Sequence, residues 1–133
     1  LTGDIHTSWA LDVPADTTKY VADTGEGSVA VELVGPAVTS QGLEGDNLAS
    51  VAPALLKNAN PHLKYSEVTR KGYVIVDVTK ERVQGEWWYV GDHLTKTNVE
   101  ELAAIFTCAA GAPHLVEGLT PTSPKEGMPP KIA

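Results

Sequence analysis

The 133-residue chain has little of several residue types, and each scarcity excludes a class of protein. Cys108 is the only cysteine, so a scaffold held by internal disulfides is excluded. No apolar run approaches the roughly 18–20 residues that a transmembrane helix needs. Basic residues number 10 against 17 acidic ones, and the net charge of −7 argues against a nucleic-acid-binding surface. An anionic substrate would therefore need a local source of positive charge, such as a metal ion.

The residues that are present predict one domain with a buried core. Hydrophobic residues make up 42% of the chain and charged residues 20%, which is typical of a globular protein. From Leu119 the sequence LTPTSPKEGMPPKIA is rich in proline and glycine. We therefore expect a domain over residues 1–118 and a tail over residues 119–133.

Alternation of apolar residues predicts mainly β-structure. Short strands are expected at 9–13 and at SVAVELV, which should be buried on both faces except near Glu32. Asp46 is a candidate cap for a helix through Leu48, Leu55 and Leu56. Segments 63–69, 72–79 and 83–90 predict a meander of three antiparallel strands. The sequence does not decide between a helix and a strand for residues 97–110, because TNVE fits a helix-capping box while LAAIFTCA fits a strand equally well.

The opening segment LTGDIHTSWA carries the clearest candidate site. Asp4 and His6 are two residues apart, and a carboxylate and an imidazole can bind zinc, iron, manganese or, for the carboxylate, calcium. Two ligands do not complete a tight site, and from spacing alone a histidine that caps a loop is the simpler interpretation. There is no nucleophile elbow, phosphate-binding loop or cysteine pair. Cys108 lies in an apolar run and is expected to be a small core residue.

Three blocks of sequence carry a resemblance to a known family. LTGDIHTSWALDV resembles the final metal motif of PhoD-type alkaline phosphatases (alkaline phosphatase D), members of the calcineurin-like metallophosphoesterase superfamily. TGEGSVAVELVGPAVTSQGLE and NPHLKYSEVTRKGYVIVDVTKERVQGEWWYV resemble two further blocks of that family, in the same order. Together the blocks cover most of residues 1–118.

The resemblance implies an α/β fold, of which this chain would be a C-terminal fragment. The parent fold would be an α/β/β/α sandwich, and this part would consist mostly of β-strands with one or two helices. The implied function is metal-dependent hydrolysis of phosphate esters, as an alkaline phosphatase or phosphodiesterase, with the chain supplying the last metal-ligand loop and a covering β-sheet. The alternative is a non-catalytic, β-rich accessory or binding module. The implied partners are a phosphate ester and the upstream part of the same polypeptide, and the implied location is periplasmic or extracellular.

The resemblance also assigns the site residues. His6 is implied as a metal ligand, and Asp4 as a ligand or as the residue that fixes one, since superfamily relatives usually have histidine at its position. The implied centre is dinuclear or larger, with calcium and iron as the first candidates and manganese or zinc as alternatives. No catalytic residue is implied beyond the metal ligands. Positions expected to shape the loop or to have a structural role are Thr2, Ser8, Trp9, Asn60 and His62.

Overall fold

The computed structural model describes residues 1–42 and 51–123. Within these residues the chain forms one α-helix and seven strands, which confirms the predicted fold of mostly β-strands with one or two helices. The helix α1 spans Ala52–Ala59, and a single 3₁₀ turn spans Thr17–Lys19. The strands are β1 Ser8–Pro14, β2 Ser28–Val34, β3 Leu63–Glu67, β4 Gly72–Val78, β5 Arg82–Val90, β6 Glu100–Ala109 and β7 Leu115–Glu117. The predicted helix cap Asp46, together with Leu48, lies outside the described residues.

The strands form two antiparallel sheets. The first has the order β2-β1-β3, with Trp9 opposite both Val34 and Ser66. The second has the order β4-β5-β6-β7. None of the helices in the two described ranges has the length and apolar character needed to cross a lipid bilayer.

The two sheets bury a shared core. Ala10 and Leu33 of the first sheet form one cluster with Trp87, Tyr89, Phe106 and Leu115 of the second. Trp87 is fully buried, and its Nε1 donates to the carbonyl oxygen of Val34 at 2.9 Å. Burial of a large apolar side chain stabilises a fold by about 1.5–3 kcal/mol, and this hydrogen bond satisfies the indole N–H that burial would otherwise leave unpaired. Cys108 packs against the cluster as a partly buried side chain.

The expectation that β2 is buried on both faces is wrong. Leu33 and Val34 are buried, but Val29 is 64% exposed. β2 is an edge strand, so the apolar residues of its first half have no second neighbouring strand to cover them. Glu32 has a partner, because its Oε1 accepts a hydrogen bond from Thr2 Oγ1 at 2.7 Å.

The predicted three-stranded meander is also wrong, because its first strand, β3, lies in a different sheet from β4 and β5. β3 pairs with β1 in the first sheet, whereas β4 and β5 pair in the second. The connecting residues therefore cross between sheets instead of making a hairpin turn. Val68 is buried in this crossing, and Glu67 Oε1 holds the chain by accepting from the backbone N–H groups of Thr69 and Arg70.

Residues 97–110 adopt the strand alternative. β6 pairs with β5 along its length, from Ala109 opposite Arg82 to Glu100 opposite Val90. The backbone of β6 therefore forms the hydrogen bonds of a sheet and not those of a helix. Thr97 does not cap a helix. Its Oγ1 instead accepts from the N–H of Val99 at 3.1 Å, which shapes the turn that leads into β6.

Candidate metal centre

The loop that carries Asp4 and His6 has an unusual backbone. Both residues have positive φ, 72° for Asp4 and 61° for His6, although neither is glycine. The left-handed conformation costs an L-residue about 1–2 kcal/mol. The loop is fixed at its two ends, because Thr2 bridges to Val34 and Ser8 begins β1. Backbone strain of this kind, held in place by the surrounding structure, is common at functional sites.

The imidazole of His6 is oriented by a backbone carbonyl. Its Nδ1 lies 2.6 Å from the oxygen of Gln41. Because a carbonyl oxygen only accepts, Nδ1 must carry the proton and donate. In the neutral ring this leaves the lone pair on Nε2 available. Metal-binding histidines are commonly oriented in this way, with one nitrogen donating to a carbonyl and the other binding the ion.

Asp4 adds an oxygen donor to the same loop. The residue is exposed, and its carboxylate has no hydrogen-bond or ion-pair partner in residues 1–42 and 51–123. Over that same part of the chain, no group of three or more His, Cys, Asp or Glu side chains is arranged to hold a metal ion. Asp4 and His6 therefore fit a metal centre in chemistry and in ring orientation, but they supply only part of a coordination shell.

Three of the other predicted positions lie beside this loop. Thr2 donates through its hydroxyl to Glu32, and its backbone pairs with β2 immediately before the loop. Ser8 is completely buried at the start of β1. The Nε1 of Trp9 donates to Thr7 Oγ1 at 2.6 Å, which links the first strand residues to the end of the loop. Their assignment as loop-shaping residues remains a prediction.

The structure places Asn60 and His62 elsewhere, after α1. Asn60 closes the helix, with its side-chain Nδ2 and its backbone N–H both donating to the oxygen of Leu56. The ring of His62 lies edge-on to Tyr20, with ring centres 6.2 Å apart. Both residues line a groove of about 220 Å³ together with Trp9, and neither Asp4 nor His6 contributes to that groove.

A buried polar cluster around Asp12 was not predicted as a site. Asp12 is fully buried, and its Oδ2 accepts from Tyr20 OH at 2.7 Å and lies 2.6 Å from Nδ1 of His114. Its Oδ1 accepts from the N–H of Leu115 at 2.8 Å, and the Lys64 ammonium lies 3.8 Å from Oδ2. Burial, the hydrogen bond to Asp12 and the negative charge of Asp12 all raise the pKa of Tyr20. The signal in the sequence was a carboxylate in phase with Ser8 and Ala10, on the buried face of β1.

Gly25 makes room for this cluster. Its φ of +71° is left-handed, and a Cβ on Gly25 would lie 2.4 Å from the His114 ring. A side chain at this position would therefore displace the imidazole from Asp12. The cluster ties the loop between β1 and β2 to the first residues of β7.

A second buried polar group holds the chain beyond β7. Glu86 is 1% exposed and accepts from the N–H of Thr122 at 2.6 Å and from Gln84 Nε2 at 2.8 Å. Trp88 Nε1 also donates to it, at 3.2 Å. Burial alone would raise the pKa of Glu86, but the hydrogen bonds from Thr122, Gln84 and Trp88 outweigh that effect and lower the pKa below its ordinary value. Residues 119–123 therefore lie against β5 through polar contacts, while the Leu119 side chain is 94% exposed.

The features to compare with known proteins are the fold and the loop. They combine two packed antiparallel sheets with a strained aspartate–histidine loop at the start of a sheet strand. The structure is similar to a solved structure titled "Structure of PhoD", with a TM-score of 0.71 and 24% sequence identity. The match covers 90% of this chain and 22% of that chain, so this sequence spans about a fifth of the length of the solved protein.

The family assignment comes from the sequence. The family model described as PhoD-like phosphatase matches residues 1–87. This is well over half of the chain, which therefore belongs to the PhoD-like phosphatase family, a family of hydrolases. A search of curated proteins found no significant match. The matched region contains the Asp4–His6 loop, β1 to β4 and the first part of β5.

Proposed function

We propose that this chain is part of a longer, metal-dependent phosphatase that hydrolyses phosphate esters. In this proposal Asp4 and His6 contribute two ligands to a centre of two or more metal ions. Calcium and iron are the first candidates, and manganese or zinc are the alternatives. In this proposal the remaining ligands come from other parts of the longer polypeptide, since residues 1–42 and 51–123 contain only a partial ligand set.

The observation that supports this proposal best is the hydrogen bond between His6 Nδ1 and the carbonyl of Gln41. It selects the tautomer whose Nε2 can bind a cation, and it restricts rotation of the ring. The positive φ of both Asp4 and His6 adds to the support, since non-glycine residues held in sparsely populated backbone conformations cluster at active sites and ligand-binding loops.

The bound metal would supply Lewis-acid stabilisation of the phosphoryl oxygens and would lower the pKa of a bound water. The residues of this chain would provide metal ligands and hold the loop that carries them. His6 presents a ring whose orientation is fixed by the Gln41 carbonyl, and Asp4 supplies a carboxylate oxygen, at one edge of the site. The strand pairing of Thr2 and the start of β1 keep the loop between them from relaxing. The net charge of −7 is consistent with a site in which metal ions, not basic side chains, attract the phosphate.

Two finer parts of the proposal concern substrate and location. The substrate class is a phosphate monoester or diester, and a panel of both would identify which. An exported location, periplasmic or extracellular, follows from the family resemblance and is proposed on that ground alone.

The test compares this chain with the full-length enzyme. We expect residues 1–133 alone to release no product from a chromogenic phosphate ester, because two ligands do not fix the geometry of a metal centre. The full-length enzyme should hydrolyse the ester with calcium, iron, manganese or zinc supplied, and a chelator should abolish the activity. Turnover by residues 1–133 alone, or chelator-resistant turnover by the full-length enzyme, would contradict the proposal.

A further inference from the structure

The residues that follow β7 cross the second sheet as a strap, which we define as residues 118–123. The strap starts over β6, where the N–H of Gly118 donates to the oxygen of Ile105 at 2.8 Å. It reaches β5, where the N–H of Thr122 donates to Glu86 Oε1 at 2.6 Å. Because Ile105 and Glu86 are directly opposite each other in the β5–β6 pair, the strap runs across the strands and not along them.

Two polar side chains of β5 hold the strap. Gln84 and Glu86 lie on the opposite face of β5 from the core residue Trp87, because successive strand residues face alternate sides. We call this side the outer face of the second sheet. Gln84 Nε2 donates to the carbonyl oxygen of Thr120 and to the hydroxyl of Thr122, both at 3.2 Å, and to Glu86 Oε1 at 2.8 Å. Glu86 is 1% exposed beneath these bonds.

The strap buries little of its own surface. Leu119 is 94% exposed, and the other exposed residues of the strap are Thr120, Pro121 and Ser123. Apolar burial is the main favourable term in folding, so it contributes little to the attachment of this segment. Ordering its backbone costs conformational entropy. The hydrogen bonds to the two β5 side chains must therefore supply most of the free energy that holds the strap in place.

Gly118 allows the strap to lie directly on the sheet. A Cβ on this residue would lie 2.6 Å from Cγ2 of Ile105 and 3.4 Å from the hydroxyl of Thr107. Ile105 is β-branched, so its side chain has few alternative rotamers in which to make room. A side chain at position 118 would therefore lift the start of the strap away from β6 without changing Glu86.

The negative charge of Glu86 strengthens its hold on the strap. Hydrogen bonds to an ionised carboxylate are stronger than those to a neutral group. Burial raises the pKa of Glu86, but the hydrogen bonds from Thr122, Gln84 and Trp88 outweigh it and lower the pKa below its ordinary value. A carboxylate with a lowered pKa stabilises the attached state above its ordinary range. That stabilisation is lost as the pH falls through the lowered value.

The other titratable and charged side chains on the outer faces of β4, β5 and β6 pair with one another. Tyr73 OH donates to Glu100 Oε2 at 2.7 Å, and Arg82 Nη2 lies 3.1 Å from Asp77 Oδ2. The residues directly opposite Glu86 on its two neighbouring strands are isoleucines. The pH dependence expected of the strap is therefore that of Glu86.

We propose that the strap is a reversible element: residues 118–123 detach from the outer face of the second sheet and reattach as a unit while both sheets stay folded, and the ionised Glu86 side chain keeps them attached. Detachment would let water hydrate Glu86 and Gln84, so neither state leaves these groups buried without partners. It would also uncover Ile105, which is 6% exposed, on the same face as the 40%-exposed Ile75. This inference does not depend on the metal site.

The test is hydrogen exchange of single amides, measured by NMR in low concentrations of urea. The Thr122 amide should exchange faster than the Trp87 amide in the core, and its rate should depend little on urea, because detachment exposes little surface. Glu86→Gln should speed exchange at Thr122 at least about 10-fold while Trp87 stays protected. Glu81→Gln, which removes an exposed carboxylate from the turn before β5, is the matched control and should change neither rate.

Two further measurements separate the charge of Glu86 from the shape of the strap. Lowering the pH from about 6 to about 3, across the ordinary carboxyl range, should reduce the protection of Thr122 relative to Trp87 in the unmodified chain but not in Glu86→Gln. Gly118→Ala should speed exchange at Thr122 with Trp87 still protected. It also tests the proposal if Glu86→Gln does not fold.

Three results would overturn the proposal. The first is equal protection and equal urea dependence at Thr122 and Trp87 in the unmodified chain, which would mean that the strap opens only when the sheets unfold. The second is loss of Trp87 protection in Gly118→Ala, which would make the strap an integral part of the sheets. The third is an unchanged rate at Thr122 in folded Glu86→Gln, or the same pH dependence with and without this substitution.

Discussion

At the scale of single residues, the sequence located the candidate ligands but not the geometry that makes them plausible. The Asp4–His6 spacing is visible in the sequence. The positive φ values and the bond from His6 to the Gln41 carbonyl are not, because they depend on a backbone contact 35 positions away along the chain. Asn60 and His62 belong to a block that resembles the family. The structure places them at the end of α1 and not in the ligand loop.

The Asp12 cluster makes a residue-scale prediction about stability. Asp12→Ala leaves the partly buried Tyr20 OH and the buried N–H of Leu115 without their acceptor, and removes the partner of His114. We expect the free energy of unfolding to fall by about 3–5 kcal/mol, measured by urea denaturation. Asp16→Ala, which removes an exposed carboxylate that caps the 3₁₀ turn, should have a much smaller effect. Equal losses in the two variants would show that the Asp12 cluster is not a major source of stability.

At the scale of strands and helices, period-two alternation was a good guide to where strands form and a poor guide to their partners. β4 and β5 pair as predicted, with Gly72 opposite Tyr89 and Val78 opposite Val83. β3 does not join them, because it pairs with β1 in the first sheet; in the connection between the sheets, Arg70 stacks over the Tyr89 ring at 4.6 Å and pairs with Glu101 at 2.8 Å. Such contacts between distant residues are invisible to a local pattern. Within residues 97–110, pairing with β5 decided between two local patterns that fitted equally well.

Gly72 gives an element-scale prediction about strand pairing. A Cβ on Gly72 would lie 2.0 Å from the carbonyl oxygen of Trp88, a backbone atom that cannot move without breaking the β4–β5 ladder. Gly72→Ala should therefore cost more than about 4 kcal/mol or abolish soluble expression, as judged by yield and urea unfolding.

Gly91→Ala is the matched control for this prediction. Its closest contact would be an ordinary 3.5 Å from a Val99 side-chain atom, so we expect a change within about 0.5 kcal/mol. A soluble Gly72→Ala variant with the stability of Gly91→Ala would mean that the close approach of β4 and β5 at this point is not required by the fold.

At the scale of the whole molecule, the sequence predicted the family and a mostly β structure with one or two helices, and the family match and the structure confirm both. It did not predict two separate sheets, because sheet membership is set by long-range packing around Trp87 and Tyr89 and not by local alternation. The roles of the site residues and the division at residue 118 remain predictions. The chain has a buried core of its own and an incomplete ligand set in its described residues, which is consistent with one part of a larger phosphatase.

The most direct test of this account is the metal content of the full-length enzyme carrying His6→Ala, measured by elemental analysis together with kcat/KM. We predict that bound metal per chain falls and that kcat/KM falls at least about 100-fold, since loss of a direct ligand should exceed the 10–100-fold effect of losing an outer-shell partner. The melting temperature should change little, because His6 is half-buried in a loop outside the core. His93→Ala, a histidine in the turn after β5, should leave all three quantities unchanged. Full metal content and an unchanged kcat/KM in His6→Ala would contradict the account and leave His6 as a residue that only shapes its loop.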